Sequence, residues 1–325
     1  MNPPEFRIGT RGSQLALWQA NWVRDRLIEA HPRLTVTVVR IKTTGDKIQD
    51  APLAKVGGKG LFVKEIEEAL IEKRIDLAVH SIKDVPVELP DELHLSAITK
   101  REDPRDVLIS RKALPLKDLA HGAKVGTSSL RRQAQLLHFR SDFEIVPLRG
   151  NLNTRLQKLD SLNLDGIILA LAGVRRLGLE ARVTEIVPME ISLPAIGQGA
   201  LGIETRMNDE AVEEKVRFLD DPASSVAIRA ERAFLRRLQG GCQVPIGCFG
   251  QKISSNLRIE GLVGTIDGKQ LIRHHIEGPA EDAEFLGIKL ADFLLKNGAE
   301  EILDEVYQRS GPTISLENGN LSMKR

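Results

Sequence analysis

Aromatic side chains are scarce in this 325-residue chain, at 4% of residues, with one tyrosine and two tryptophans. Stacking platforms for nucleobases are therefore poorly supplied. Cysteine is scarcer still: Cys242 and Cys248 are the only two. They are too few for a disulfide framework, and a reducing, cytoplasmic setting is expected. The longest apolar stretch, around Ile167 to Val174, falls far short of the roughly 20 residues that cross a bilayer, so no membrane association is expected. Met1 to Arg7 contains no apolar h-region, so no secretory signal is expected. An excess of one charge is missing too. The balance of 46 basic and 45 acidic residues leaves a formal charge of +1, which argues against a nucleic-acid binder. No cluster has metal-ligand spacing, and no metal site is expected.

Basic residues are instead concentrated in short segments flanked by glycine and hydroxyl residues, at the ends of apolar runs. They read Gly9-Thr10-Arg11-Gly12-Ser13, Lys55-Val56-Gly57-Gly58-Lys59-Gly60, His80-Ser81-Ile82-Lys83-Asp84 and Gly126-Thr127-Ser128-Ser129-Leu130-Arg131-Arg132, followed by Arg149-Gly150-Asn151-Leu152-Asn153-Thr154-Arg155 and Gly173-Val174-Arg175-Arg176. Strand-end loops of an α/β sheet converge on one face, so cations placed there make a site for a ligand with many negative charges. Helix starts near Ser13, Ser129 and Asn151 would add backbone N–H groups to it.

The first two-thirds of the chain alternate strand and helix signals. Phe6 to Gly9 predicts a strand, and Ser13 caps a helix carrying Leu15, Trp18, Trp22 and Val23. Gly60 opens a helix with Phe62, Val63, Ile66, Ala69 and Leu70 on one face, and Ile75 to Val79 predicts a buried strand ending at His80. Val125-Gly126-Thr127 then echoes Ile8-Gly9-Thr10, and the run from Asp165 to Ala170 echoes Asp76 to Val79. Two similar α/β lobes facing each other are expected. Linkers near Thr99 to Pro104 and Ser192 to Gly199 would carry the chain out and back as a two-strand hinge. Residues 1–99 with 200–218 form the first lobe and 100–199 the second. Residues 219–311 form a small α+β domain with a hairpin at Asp267-Gly268, and 312–325 a disordered tail.

Several residues admit two readings. Any single arginine here could be a solvated surface residue, although six beside Gly, Ser, Thr or Asn at strand–helix junctions point to a shared site that can fork onto carboxylates. Lys55 and Lys59 could ride a solvated loop or cover a cleft. That loop lacks the Gly-Lys-Ser/Thr ending of a P-loop. Asp84 could cap a turn or pair with Lys83, or be the one carboxylate in a cationic cleft, able to stabilise a developing cation or move a proton. Cys242, in Gly240-Gly241-Cys242-Gln243, could be a small buried hydrophobe or an uncrowded reactive thiol. His80 reads as packed at a strand end rather than as the partner of a cysteine nucleophile.

The chain resembles the porphobilinogen deaminase (hydroxymethylbilane synthase) family over nearly its whole length, from Arg7 to about Arg309. The resemblance is carried by the segments Ala78–Pro86, Arg101–Asp106, Gly126–Arg132, Leu148–Asn151, Ala195–Gly199 and Gly241-Cys242. It implies two periplasmic-binding-protein-like lobes with the active cleft between them, plus the small third domain. It also implies a transferase that joins four porphobilinogen molecules head to tail with loss of four ammonia. The linear tetrapyrrole hydroxymethylbilane is then released by water. The cofactor implied is a dipyrromethane held through a thioether to Cys242, built from the substrate itself, and a monomer is expected.

The residue roles follow from the same resemblance. Asp84 is the catalytic carboxylate. Ser13, Lys83, Ser129, Arg131 and Arg132 hold the cofactor. Arg11, Gln19, Arg149, Arg155 and Arg176 hold substrate and the growing chain, with Lys55, Lys59, Phe62, Ser81, Thr127 and Gln198. Primer plus product would carry twelve carboxylates against nine named cations, so cations would be shared as the chain moves past Asp84. A non-catalytic two-lobe anion-binding protein is the alternative, but it has no need of Cys242.

Overall fold

Two five-stranded sheets with one strand order organise the first two-thirds of the molecule, as described by a computed structural model covering residues 5–47, 63–240 and 244–310. The tail expected at 312–325 lies outside the described residues. In the first lobe, β1 (Glu5–Thr10) turns its Phe6 and Ile8 into the core. The helix α1 (Gln14–Ala30) follows, capped by Ser13, whose hydroxyl accepts from the Ala16 N–H at 3.2 Å. It packs Ala20, Val23 and Leu27 beneath the sheet. Trp18, expected on that packed face, is 37% exposed because it faces the other lobe. Next come β2 (Thr35–Arg40), α2 (Thr44–Lys47) and α3 (Lys64–Ile71), the last burying Ile66, Ala69 and Leu70. The helix start expected at Gly60 and Phe62 lies outside the described residues. Then come β3 (Leu77–Ser81), a 3-10 turn (Ile82–Asp84) and β4 (Leu93–Ile98).

The second lobe runs β5 (Asp106–Ser110), β6 (Lys124–Gly126), α4 (Leu130–Phe139), β7 (Glu144–Val146) and α5 (Leu152–Ser161), then β8 (Gly166–Ala170), α6 (Leu171–Arg176) and β9 (Glu185–Ile186). The chain then returns to the first sheet as β10 (Leu201–Arg206), followed by α7 (Glu210–Val216). The sheet orders are β2-β1-β3-β10-β4 and β7-β6-β8-β5-β9. In each, three parallel strands are followed by an antiparallel strand that has crossed from the other lobe. The sequence echo is thus the same position used twice: Ile8-Gly9-Thr10 ends β1, and Val125-Gly126 ends β6 with Thr127 directly after it.

The strand expected at Ile75 to Val79 lies two residues further on. The reason is long-range. β10 pairs Gly202 with His80 and Leu201 with Ser81, so the returning strand extends the ladder past the run that the local pattern marks. The small third domain packs α8 (Pro222–Arg237), α9 (Ala283–Leu294) and α10 (Glu300–Ser310) with the antiparallel strands β11 (Ile246–Ile253), β12 (Asn256–Gly264) and β13 (Leu271–Pro279) around Phe234, Leu257, Ile259 and Leu290. All three parts meet at Glu231 on α8, a fully buried carboxylate. It binds Arg101 Nη2 of the outward crossing at 3.0 Å, the Gly197 N–H of the return at 2.7 Å and the Gly250 N–H of β11 at 2.8 Å.

Candidate active site

Asp84 ends the 3-10 turn that follows β3, and it is exposed. Local sequence places it there: Pro86 holds Val85 in extended backbone (φ −84, ψ 124), which stops the turn from becoming a helix. Asp84 lines a pocket with Thr10, Arg11, Ser13, Gln19 and Ser81, all from the ends of β1 and β3 and the start of α1. Gln19 Nε2 donates to Ser81 Oγ at 3.0 Å, which fixes that hydroxyl beside the carboxylate. His80 is buried and packed, as its sequence context suggested, with Nε2 2.9 Å from Glu204 Oε2.

Beside Asp84 the half-buried Lys83 points toward the second lobe, with Nζ 3.5 Å from Gln198 Oε1. Burial pushes its ammonium down to about 8; Asp84 opposes the fall, and Arg132 and Arg155 reinforce it. The Arg155 guanidinium is pushed down to about 10 by burial and by its neighbours Arg132 and Arg149, with Asp84 again opposing. It remains charged at neutral pH. Lys83 and Arg155, from the two lobes, thus both feel the Asp84 carboxylate, with Arg132 acting on both cations and Arg149 on Arg155.

The second lobe supplies its cations from helix starts. Ser129 caps α4 by accepting from the Arg132 N–H, and Asn151 caps α5 by accepting from the Thr154 N–H at 2.9 Å. Thr127 Oγ1 accepts from the Ser129 N–H at 3.2 Å and braces the same turn. Arg131 and Arg132 are buried rather than free in the cleft. Arg131 Nη2 binds Asp106 Oδ2 at 2.9 Å and Arg132 Nη2 binds Asp106 Oδ1 at 2.7 Å. Burial alone would raise the Asp106 carboxyl, but the two guanidiniums hold it well below the usual carboxylate range. Among the described residues, the Nε atoms of both arginines are buried without a hydrogen-bond partner. Buried cationic donors left unpaired are costly, and an acidic group bound beside them would satisfy both.

The hinge closes the site. Gln198 is buried and donates to Asp106 Oδ1 at 2.9 Å and to Pro104 O at 2.6 Å. Arg176 Nη2 donates to Gly199 O at 2.6 Å, and its guanidinium lies 6.0 Å over the Trp18 ring of the first lobe. Burial pushes Arg176 down to about 10, with Glu102 opposing. Gln14 and Asn153 share a side-chain hydrogen bond across the lobes.

Lys55, Lys59, Phe62 and Cys242 lie outside the described residues. Cys248 is buried, with burial raising its thiol well above the ordinary value. Among the described residues no cluster suits a metal ion, and no helix is long and apolar enough to cross a membrane. A second cavity, of about 290 Å³ between Ser110, Arg111, Asp160 and Thr184, is lined by none of the residues picked out from sequence. The sequence alone assigns no part in the site to Asp106, Arg101 or Glu231, and to Trp18 only a place on the apolar face of its helix. Asp106 and Arg101 bound a segment that carried the resemblance, whereas nothing local marks Glu231 or Trp18.

Residues 6–214 match the family model "Porphobilinogen deaminase, dipyromethane cofactor binding domain", and residues 225–296 match "Porphobilinogen deaminase, C-terminal domain". A porphobilinogen deaminase of Pelobacter propionicus is 58% identical over 309 residues, covering 95% of this chain and 99% of that relative. One of Geotalea uraniireducens is 57% identical over 304 residues, covering 94% and 95%. One of Geobacter metallireducens is 56% identical over 309 residues, covering 95% and 97%.

Proposed function

The chain belongs to the porphobilinogen deaminase family, and on that premise we propose how its own residues carry the activity. That activity is head-to-tail condensation of four porphobilinogen molecules with loss of four ammonia, on a dipyrromethane primer, followed by hydrolytic release of hydroxymethylbilane. The observation that carries the assignment is an exposed carboxylate, Asp84, the one acidic side chain among the described residues of its pocket, set beside Lys83 and among cations drawn from both lobes.

The residues present suit a dipyrromethane. Its acetate and propionate groups match the orphaned Nε donors of Arg131 and Arg132, with Ser13, Ser129 and Lys83 beside them. Cys242, five residues beyond α8, carries it through a thioether. When bound, the dipyrromethane supplies the free pyrrole α-carbon at which the chain starts. Arg11, Arg149, Arg155 and Arg176, with Lys55 and Lys59, hold the carboxylates of incoming and added rings, and Gln19, Phe62, Ser81, Thr127 and Gln198 contact the same rings and fix their orientation. An ion pair near 4 Å contributes about 4 kcal/mol at an effective dielectric of 20, before desolvation is subtracted.

Asp84 does the bond chemistry. As the aminomethyl C–N bond of porphobilinogen breaks and ammonia leaves, positive charge develops beside the pyrrole N–H. An ionised carboxylate stabilises it. When the new C–C bond forms, the ring whose free α-carbon attacks the methylene must shed the proton on that carbon, and Asp84 can receive it and pass it on. The lobes and the third domain shift to bring successive rings past Asp84. The working form is a cytoplasmic monomer acting on neither nucleic acid nor membrane, a reading supported by the near-neutral charge and two cysteines. Asp84→Asn should nearly abolish turnover while the primer stays attached, and near-normal turnover would remove Asp84 from this role.

A further inference from the structure

Arg232 is a buried cation, 9% exposed, on the face of α8 turned toward the first lobe. Its partners among the described residues are carbonyl oxygens of three consecutive residues, all immediately after Asp84. Nη1 donates to Val85 O at 3.3 Å, and Nη2 donates to Pro86 O at 2.7 Å and Val87 O at 3.0 Å. Burial pushes the guanidinium down to about 10, and Arg236 adds to the fall. It therefore stays charged at neutral pH, and these are charge-assisted bonds. A desolvated cation is an expensive way to hold a loop, and proline supplies no N–H with which Pro86 could tie itself down.

The other side of Asp84 is held by the same helix. Ile228 lies four residues before Arg232, on the same face, and packs in one cluster with Ile82, Ile98 and Ala200. One turn of α8 thus supports the residue two before Asp84 and the three residues after it. The same helix ends at Arg237 and leads through Gly240 to Cys242.

We propose that Arg232 is a positioning residue for Asp84, clamping the Val85–Val87 strap so that the carboxylate keeps a fixed place relative to the primer-bearing segment. The inference rests on the roles given above to Asp84 and Cys242. The bond chemistry remains Asp84's, and Arg232 acts only through the backbone it holds.

The test is a double-mutant cycle on the holoenzyme: Arg232→Gln, Arg232→Lys and Asp84→Glu, singly and combined, with kcat, KM and intact mass measured for each. Misplacing a catalytic group by about 1 Å costs about 100-fold, so Arg232→Gln should lower kcat by roughly that factor with KM changed less than about twofold. The primer mass should be retained, and Arg232→Lys, which keeps a charged donor, should recover part of the loss. In the Asp84→Glu background, where the carboxylate is already displaced, Arg232→Gln should cost several-fold less than in the native background. Unchanged kcat in Arg232→Gln, an equal fold loss in both backgrounds, or loss of the primer would overturn the inference and leave the Asp84 assignment standing. Near-normal kcat in Asp84→Glu and in Asp84→Asn alike would overturn that assignment, and this inference with it.

Discussion

Arg132 donates to Asp106 Oδ1 at 2.7 Å, and both side chains are buried. With Arg131 on the other carboxylate oxygen, Asp106 neutralises part of a cationic cluster while tying α4 to β5. Removing the anion strands two buried guanidiniums, so Asp106→Asn should destabilise the fold by about 3–5 kcal/mol. The carboxyl is held below its ordinary value in the folded state. Its stabilisation is therefore present above about pH 4 and lost as pH falls from there through the depressed native value. Urea denaturation between pH 3 and 7 should show a shallower acid decline in Asp106→Asn than in the native protein. Parallel declines would contradict this account.

Much of this was legible from sequence where the chemistry is local. Ser13, Ser129 and Asn151 were readable as helix starts because an N-cap is made within four residues. The echo between Ile8-Gly9-Thr10 and Val125-Gly126-Thr127 was readable because both lobes use one topology. Pairings between distant residues were not. Nothing near Arg131 announces that Asp106 will neutralise it from another strand, and the end of β3 is set by β10, more than a hundred residues later. Trp18 keeps helical spacing with Leu15 and Trp22 yet faces outward, since the second lobe rather than the first sheet is its neighbour. Arg232 and Glu231 sit in an ordinary amphipathic helix, and only the tertiary fold distinguishes them from surface charges.

Gly197 should be intolerant of a side chain. Its φ is +68, and an added Cβ would collide with Ile82, the residue on which the Asp84 turn rests. Positive φ alone costs about 1–3 kcal/mol at a non-glycine residue. Gly197→Ala should lower the unfolding midpoint and reduce kcat by about tenfold or more, as expected of small displacements at a reacting centre. Native kcat in a folded Gly197→Ala protein would show that Ile82 does not set the position of Asp84.

Lys83 should give the activity an alkaline limit. Its ammonium titrates at about 8, down from 10.5, so its charge is present below that pH and lost above it. Because the folded value is lowered, its deprotonation should add stability as pH rises from about 8 toward the ordinary lysine value. The kcat/KM profile of the native enzyme should fall in the same window. Lys83→Arg, charged throughout, should move that limb upward. An unmoved limb would assign it to another group.

Gln14 and Asn153 meet across the cleft, so a disulfide between Gln14→Cys and Asn153→Cys should fix the lobes in their present relation. If rings are drawn past one carboxylate, the oxidised protein should stall with fewer than four rings added, counted by intact mass, and reduction should restore turnover. Full turnover by the oxidised protein would contradict the shifting-lobe account.

The most direct measurement of the central claim is the intact mass of the purified, active protein. A primer held on Cys242 predicts a mass increment of two pyrrole units, present in the native protein and in Asp84→Asn and absent from Cys242→Ser. Active protein with the plain mass of its sequence would contradict it.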